Sequence, residues 1–221
     1  FDLRDFLGTE EPHLDMRSRC ALAAASLAWD TAAVEHDEVD PSRCGLAFAT
    51  WWGRDRRPGK TAMDAPGAPR TPFTSAAAIT GDALVDYFRL GGPREDISGG
   101  LLAGARALDR AVADLLSGRA DLMMVGGADA LARPRLIELE SSMADSAPRP
   151  AQGAGVLIVE TEENVERREG SPFCELGSII CRQTDPAGPV EELAEAFKSV
   201  VTEAVAAAGI WEGDVGIVFL C

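Results

Sequence analysis

Five cysteines, two histidines and a scatter of serines and aspartates are the residues with which this chain of 221 amino acids would do chemistry. Acyl transfer or hydrolysis needs a nucleophile with a base in reach, and a metal needs thiolates, imidazoles or carboxylates at short repeating spacings. Cys20, Cys44, Cys174, Cys181 and Cys221 are odd in number, far apart and form no C-x-x-C pair, so they suggest neither a zinc site nor a disulfide framework. Cys221 closes an apolar run with no base beside it and reads as a buried structural thiol. His13 and His36 stand among acidic residues in exposed-looking connectors and read as surface side chains. Asp121, Asp129 and Asp145 fall at a strand start, after a Gly-Gly pair and in a Ser/Pro loop, where carboxylates cap and turn the chain. Gly126-Gly127-Ala128 and Gly153-Ala154-Gly155 lack the lysine and spacing of a phosphate-binding loop and read as close-packing positions. Trp51-Trp52 leaves two readings open, an exposed partner or ligand surface, or half-burial under the loop that follows. Neither a metal site nor a cofactor is predicted.

Lysine and arginine total 21 against 36 aspartates and glutamates, a formal charge of −15. Nucleic-acid and anionic-membrane surfaces both depend on clustered cations, so neither is an expected partner. At 46% hydrophobic and 26% charged, the composition is that of a folded domain rather than a disordered acidic tail. No apolar run reaches membrane-spanning length, and Phe1-Asp2-Leu3-Arg4-Asp5 does not resemble a signal peptide. The expectation is a soluble, cytoplasmic protein with reduced thiols.

The elements that must position these residues follow from hydrophobic period and punctuation. From Met16 to Val34 the chain is rich in alanine and leucine, with Cys20, Leu22, Leu27 and Trp29 at roughly helical spacing, which predicts a buried helix. Cys44 to Thr50 is a short apolar run, as expected of a strand covered on both faces. Gly53 to Pro72 is a long loop without hydrophobic period. A helix is expected from Thr74 to Leu90, stopped by Gly91-Gly92-Pro93. Then come a strand at Arg94 to Ser98, a tight close-approach turn at Gly99-Gly100 and a helical run from Leu101 to Leu116 capped by Ser117-Gly118. Asp121 to Val125 reads as a buried strand closed by Gly126-Gly127, and Gly155 to Glu160 as another. Beyond the charged connector Thr161 to Gly170 lie a strand-like Cys174 to Arg182 and an amphipathic helix from Pro189 to Ala208. That helix's inner face would carry Val190, Leu193, Ala194, Phe197, Val201 and Val205. Val215 to Leu220 is one more apolar strand. Strands separated by helices predict an α/β protein with layered helices on a mostly parallel mixed sheet.

In this order the motifs resemble the β-ketoacyl-acyl-carrier-protein synthases of the thiolase fold. The most specific piece is Leu115-Leu116-Ser117-Gly118-Arg119-Ala120-Asp121-Leu122-Met123-Met124-Val125-Gly126-Gly127. It looks like the end of the family's nucleophile helix, the strand after it and a Gly-Gly pair. Phe1-Asp2 with the helix from Met16 is similar to the family's early helical region. Thr71-Pro72-Phe73 with Arg89-Leu90-Gly91-Gly92-Pro93 is similar to the approach to its nucleophile strand. Gly153 to Glu160 resembles its G-x-G-A-G-V strand, and Asp214 to Cys221 resembles the strand before its His-Gly-Thr-Gly-Thr loop. The resemblance implies the first half of a two-half fold plus the opening of the second. Residues 1–170 would form the ketosynthase N-terminal-like half, and residues 171–221 the opening strand, helix and strand.

The resemblance is most informative where it breaks. The family's nucleophilic cysteine sits at an elbow leading into its helix, where the helix N-terminus lowers the thiol pKa. Counting from Gly92-Pro93 and from Gly126-Gly127 places that position at Leu101, in the elbow Ser98-Gly99-Gly100, and leucine cannot form a thioester. Ser98 has no recognisable base and reads as a polar strand-end residue. Cys221 falls where the resemblance puts the first catalytic histidine. The family's opening strand and loop would precede Phe1, and its remaining catalytic loops would follow Cys221, as in a fragment of a longer product or a shortened relative.

These departures imply a non-catalytic, chain-length-factor-like subunit, a homodimer or a heterodimer with an active ketosynthase in type II polyketide or fatty-acid-like synthesis. Arg94, Glu95, Asp96, Ile97 and Ser98 would be the interface edge. Phe73, Leu101 and Leu131 would gate the partner's acyl tunnel. At −15 the chain would repel acidic acyl carrier proteins and meet them only indirectly, through its partner. Two alternatives stay open: a catalytic synthase or malonyl-carrier-protein decarboxylase seen in part, and a homodimeric scaffold or ligand-binding module.

Overall fold

The computed structural model describes residues 14–51, 76–131, 151–182, 184 and 188–216. The chain divides into two compact units, Phe1–Ser171 and Pro172–Cys221. In the first, helix α1 (Met16–Thr31) leads to strand β1 (Cys44–Thr50), followed by α2 (Ala76–Phe88), β2 (Arg94–Ser98), a 3-10 turn (Gly100–Leu102), α3 (Ala103–Leu116), β3 (Leu122–Asp129), β4 (Gly153–Glu160) and α4 (Glu162–Arg167). The strands form one mixed sheet in the order β2-β1-β3-β4. β1 runs parallel to both neighbours, while β3 and β4 are antiparallel.

Every residue of β1 is buried because helices cover both faces of the sheet. Leu46 and Phe48 point to one side, into a core shared with Leu22 and Trp29 of α1 and Leu84 and Phe88 of α2. Ala47 and Ala49 point to the other, where Ala103, Ala107 and Ala111 of α3 lie against them. Those three alanines recur every fourth residue, one side of a helix, and their small size lets α3 approach the sheet closely. Substituting Ala107, which is fully buried, by leucine is expected to push α3 off the sheet at a cost of about 1–3 kcal/mol, read as a lowered urea midpoint.

Local chemistry sets the ends of these elements. Asp15 caps α1 by accepting from the Ser18 N–H at 2.8 Å, and Gly118, with φ +67, closes α3 as expected. α2 ends differently from the sequence reading. Arg89, itself left-handed at φ 55, turns the chain, while Gly91 lies against Pro41 just before β1 and Gly92 against the first residue of β1. A Cβ on Gly92 would stand 2.8 Å from the Cys44 carbonyl oxygen. Gly126-Gly127 do not close β3 but run within it to Asp129, because the ladder with β4 continues that far, and at Gly126 only glycine fits: a Cβ there would lie 2.5 Å from the Gly155 carbonyl oxygen. The connector after β4 carries the short helix α4, started by the Thr161 hydroxyl accepting from the Asn164 N–H. Leu27, predicted inside, is half exposed, because the closer-packing alanines Ala21 and Ala25 take the inner face of α1.

Arg43 and Asp121 pin the entries of β1 and β3. Arg43 Nε donates to Asp121 Oδ2 at 3.1 Å, its Nη2 to Oδ1, and its Nη1 to the Gly118 carbonyl at 2.7 Å. The guanidinium bonds hold the Asp121 carboxyl below the usual carboxylate range. A carboxylate held charged in the fold adds stability above the ordinary value of about 3.9 and loses it as pH falls through its lowered folded value. Asp121→Asn is therefore expected to cost at most about 1 kcal/mol at pH 7 in urea unfolding. The two proteins should converge once the pH drops below the carboxylate range.

In the second unit, α5 (Val190–Ala207) is the one long helix among the described residues. Residues 174–182 form no strand: a ladder needs a partner, and this stretch instead lies along α5, with the Ser178 hydroxyl donating to the Ala204 carbonyl at 2.8 Å. The apolar stripe of α5 is not buried, and Val190 and Phe197 are both more than half exposed. Residues 217–221, the remainder of the last expected strand, lie outside the described residues, as do Trp52, Phe73, His13 and Asp145.

Candidate functional site

A cleft of about 450 Å³ opens at the carboxyl ends of the parallel strands, the end at which α/β sheets place their ligands. β1 contributes Thr50 and, just beyond it, Trp51; β3 contributes Asp129; Gly100 and the first turn of α3 form a third wall. The fourth is Ala151 to Gly155, where β4 begins. Gly104, Gly153 and Gly155 have open space where a Cβ would be, so the cleft exists because these positions carry no side chain.

The elbow lies at one edge of this cleft. β2 ends at Ser98, exposed and paired with Thr50. Gly99 is extended, at φ −179, and Gly100 turns the chain at φ +70. Gly100 is needed for that backbone angle rather than for close approach, since nothing lies within 4 Å of its Cβ position; this corrects the sequence reading. Leu101 follows inside the 3-10 turn that enters α3. Leu131 lies just past β3, partly exposed, its N–H directed at Gln152 Oε1 at 3.4 Å.

Arg94 to Ser98 is an outer strand of the sheet, so one side of its backbone is free of strand partners among the described residues. Its charges are paired within the chain. Arg94 bonds Asp82 of α2 at 2.6 Å and Asp96 at 2.9 Å, and Arg110 of α3 bonds Glu95 at 2.9 Å. Burial is the main influence on Asp96 and pushes its carboxyl up, against the pull of Arg94.

Asp129 does more than the turn role expected of it. Its Oδ1 accepts from the Thr50 hydroxyl at 2.6 Å and its Oδ2 from the Trp51 N–H at 2.9 Å, tying the ends of β1 and β3. The sequence signal was the acidic residue directly after Gly126-Gly127-Ala128, but its partners lie far away in the chain. Trp51 is 45% exposed on the cleft wall. His36 is exposed and stacks on Trp29 with ring centroids 5.2 Å apart, away from the cleft. Cys44 is buried in β1, and desolvation first, then Asp40 and other carboxylates, push its thiol up to about 11. Iodoacetamide at pH 8 should modify the exposed Cys174 and Cys181 about a hundredfold faster or more than Cys44, read by peptide mass spectrometry. Among the described residues no group of histidines, cysteines and carboxylates is arranged to hold a metal ion.

Parallel strands flanked by helices on both faces, a glycine elbow leading into α3 and a cleft at the strand ends define a thiolase-like ketosynthase fold. The chain belongs to the β-ketoacyl synthase family: residues 4–151 match the model of the beta-ketoacyl synthase N-terminal domain. A Streptomyces cyaneus protein bearing the name of a polyketide beta-ketoacyl synthase 1 is 26% identical over 189 residues, 77% of this chain and 41% of that protein. Among solved structures, a beta-ketoacyl synthase from Burkholderia phymatum superposes with a TM-score of 0.70 at 20% identity, over 89% of this chain and 54% of that one. The ishigamide ketosynthase/chain length factor gives 0.63 at 19%, over 95% and 60%. A type II polyketide synthase acyl-carrier protein in complex with its hexaketide-bound ketosynthase gives 0.62 at 18%, over 77% and 54%. The chain thus spans about two fifths of its curated relative and little more than half of these structures. Among the described residues no helix is long and apolar enough to cross a membrane.

Proposed function

We propose that this chain acts as a non-catalytic, chain-length-factor-like ketosynthase subunit that pairs with an active ketosynthase in type II polyketide or fatty-acid-like acyl-chain synthesis. The observation that carries the reading is leucine at position 101, in the turn entering α3 at the edge of the cleft, where the family places its nucleophile. An acyl-thioester needs a thiolate there, and a leucine side chain has neither a lone pair nor an ionisable proton. The likeness to the ishigamide ketosynthase/chain length factor supports pairing with a catalytic subunit. The outer strand β2, with Arg94 to Ser98, is the edge such a partner would extend.

In this reading Phe73, Leu101 and Leu131 close the partner's acyl tunnel and set product length by volume. The charge of −15 leaves docking of an acidic acyl carrier protein to the partner. The subunit would work in the cytoplasm, where its thiols stay reduced.

Co-expression with an active type II ketosynthase tests the proposal. The two should co-purify as a heterodimer, and Leu101→Trp should shorten the main product. Failure to co-purify, with a product length indifferent to Leu101→Trp, overturns it. So does turnover of malonyl-carrier protein to acetyl-carrier protein by this chain alone.

A further inference from the structure

The ladder between β1 and β3 ends at Ala49 and Gly127, and the ladder between β1 and β2 ends at Thr50 and Ser98. Past these pairs the backbone of Trp51 is held at both of its polar groups. Its N–H donates to Asp129 Oδ2 at 2.9 Å, and its carbonyl accepts from the Gly100 N–H at 3.3 Å. The other oxygen of Asp129 accepts from the Thr50 hydroxyl at 2.6 Å, and Thr50 is 1% exposed, so water cannot replace that bond. Hydrogen bonds to an ionised carboxylate are shorter and stronger than neutral ones, which suits a side chain that substitutes for a missing strand neighbour.

We infer that Asp129 is the positioning residue of the elbow. Its carboxylate fixes the Trp51 N–H and with it the backbone of that residue, the Trp51 carbonyl fixes Gly100, and Gly100 turns the chain into the segment that carries Leu101. Asp129 acts through the backbone and touches no reacting atom. The role is independent of pairing with a second subunit, so its test and the test of the proposed function fail separately.

Leu101→Cys supplies the probe, a thiol at the elbow whose alkylation by iodoacetamide is followed by peptide mass spectrometry from pH 5 to 9. A thiol entering a helix there should ionise below the ordinary value of about 8.5. Adding Asp129→Ala should raise the midpoint of the profile by about 1 pH unit and slow alkylation at pH 7 roughly tenfold, the equivalent change in thiolate fraction. The sign is diagnostic, because loss of a nearby negative charge alone would lower the midpoint. Asp129→Asn keeps one acceptor oxygen and should fall between. Thr50→Val removes the other bond to Asp129 without touching the Trp51 N–H. It should lower the thermal midpoint and leave the profile at position 101 in place. An unchanged or lowered midpoint in Asp129→Asn, or in Asp129→Ala where it folds, overturns the inference. A Thr50→Val shift as large as that of Asp129→Asn does the same.

Discussion

Arg168→Ala is expected to destabilise the first unit by about 3–5 kcal/mol, a fall in Tm of roughly 6–20 °C for a domain of this size. The side chains of Arg168 and Glu160 are only 4% and 6% exposed. Arg168 grips Glu160 with both arms of its fork, Nε to Oε1 at 2.8 Å and Nη2 to Oε2 at 2.6 Å, while its Nη1 donates to the Ala33 carbonyl at 3.2 Å. Asn164 adds a bond to Glu160 Oε1 at 2.6 Å. The end of β4, the turn after α4 and the end of α1 therefore meet at one ion pair. Deleting the guanidinium leaves a carboxylate out of water with a single amide for company, and that orphaned charge, more than the lost attraction, is what costs stability. Arg168→Met combined with Glu160→Met removes both charges and should recover most of the loss. A single-variant loss below about 1 kcal/mol in scanning calorimetry would show that water reaches Glu160 freely.

The second large effect is steric. Gly126→Ala should cost about 3 kcal/mol or more, because the new Cβ would stand 2.5 Å from the Gly155 carbonyl oxygen and 2.8 Å from a Val156 methyl. Neither neighbour can yield without breaking the pairing of β3 with β4. Gly155→Ala is the matched control, one strand away: its Cβ position is open, so the change should be neutral or stabilising by about 0.5 kcal/mol, as expected for alanine over glycine in a strand. Two glycines on adjoining strands should therefore respond very differently to the same substitution, one losing about 3 kcal/mol or more and the other losing nothing, read by urea unfolding. Equal responses would mean that the two strands do not sit as closely as described.

What the sequence disclosed followed from local pattern. A seven-residue apolar run bounded by turn residues is too short for a typical helix and suits a strand covered on both faces, and β1 is that strand. The glycine elbow and the helix after it were legible because turn and helix chemistry are short-range. Most of the misreadings concern partners remote in the chain. Gly126-Gly127 look like punctuation until β4 is placed beside them. The segment Thr161 to Gly170 reads only as a charged connector because the buried partner that Arg168 finds is Glu160, a choice made by the fold and not by any hydrophobic period. Asp129 has the same history: nothing near it in sequence points to Thr50 or to the Trp51 peptide. Arg89 takes the left-handed turn that the following glycines seemed placed to make. Of the site, position 101 was located by counting from flanking glycines, whereas the cleft beside it emerges only when β1, β3 and β4 are brought side by side.

The strand order carries a consequence for how the chain comes to be folded. β1 is the most deeply buried strand of the sheet, yet the strands that shield its two edges begin only at Arg94 and Leu122, and the helix that covers its alanine face begins at Ala103. On a ribosome β1 would emerge early and wait, edges bare, until most of the first unit had been made. Slow, long-range parallel pairing of this kind favours kinetic traps and capture by neighbouring chains. Yield in a heterologous host should therefore depend on temperature and chaperone supply more than on any feature of the finished surface.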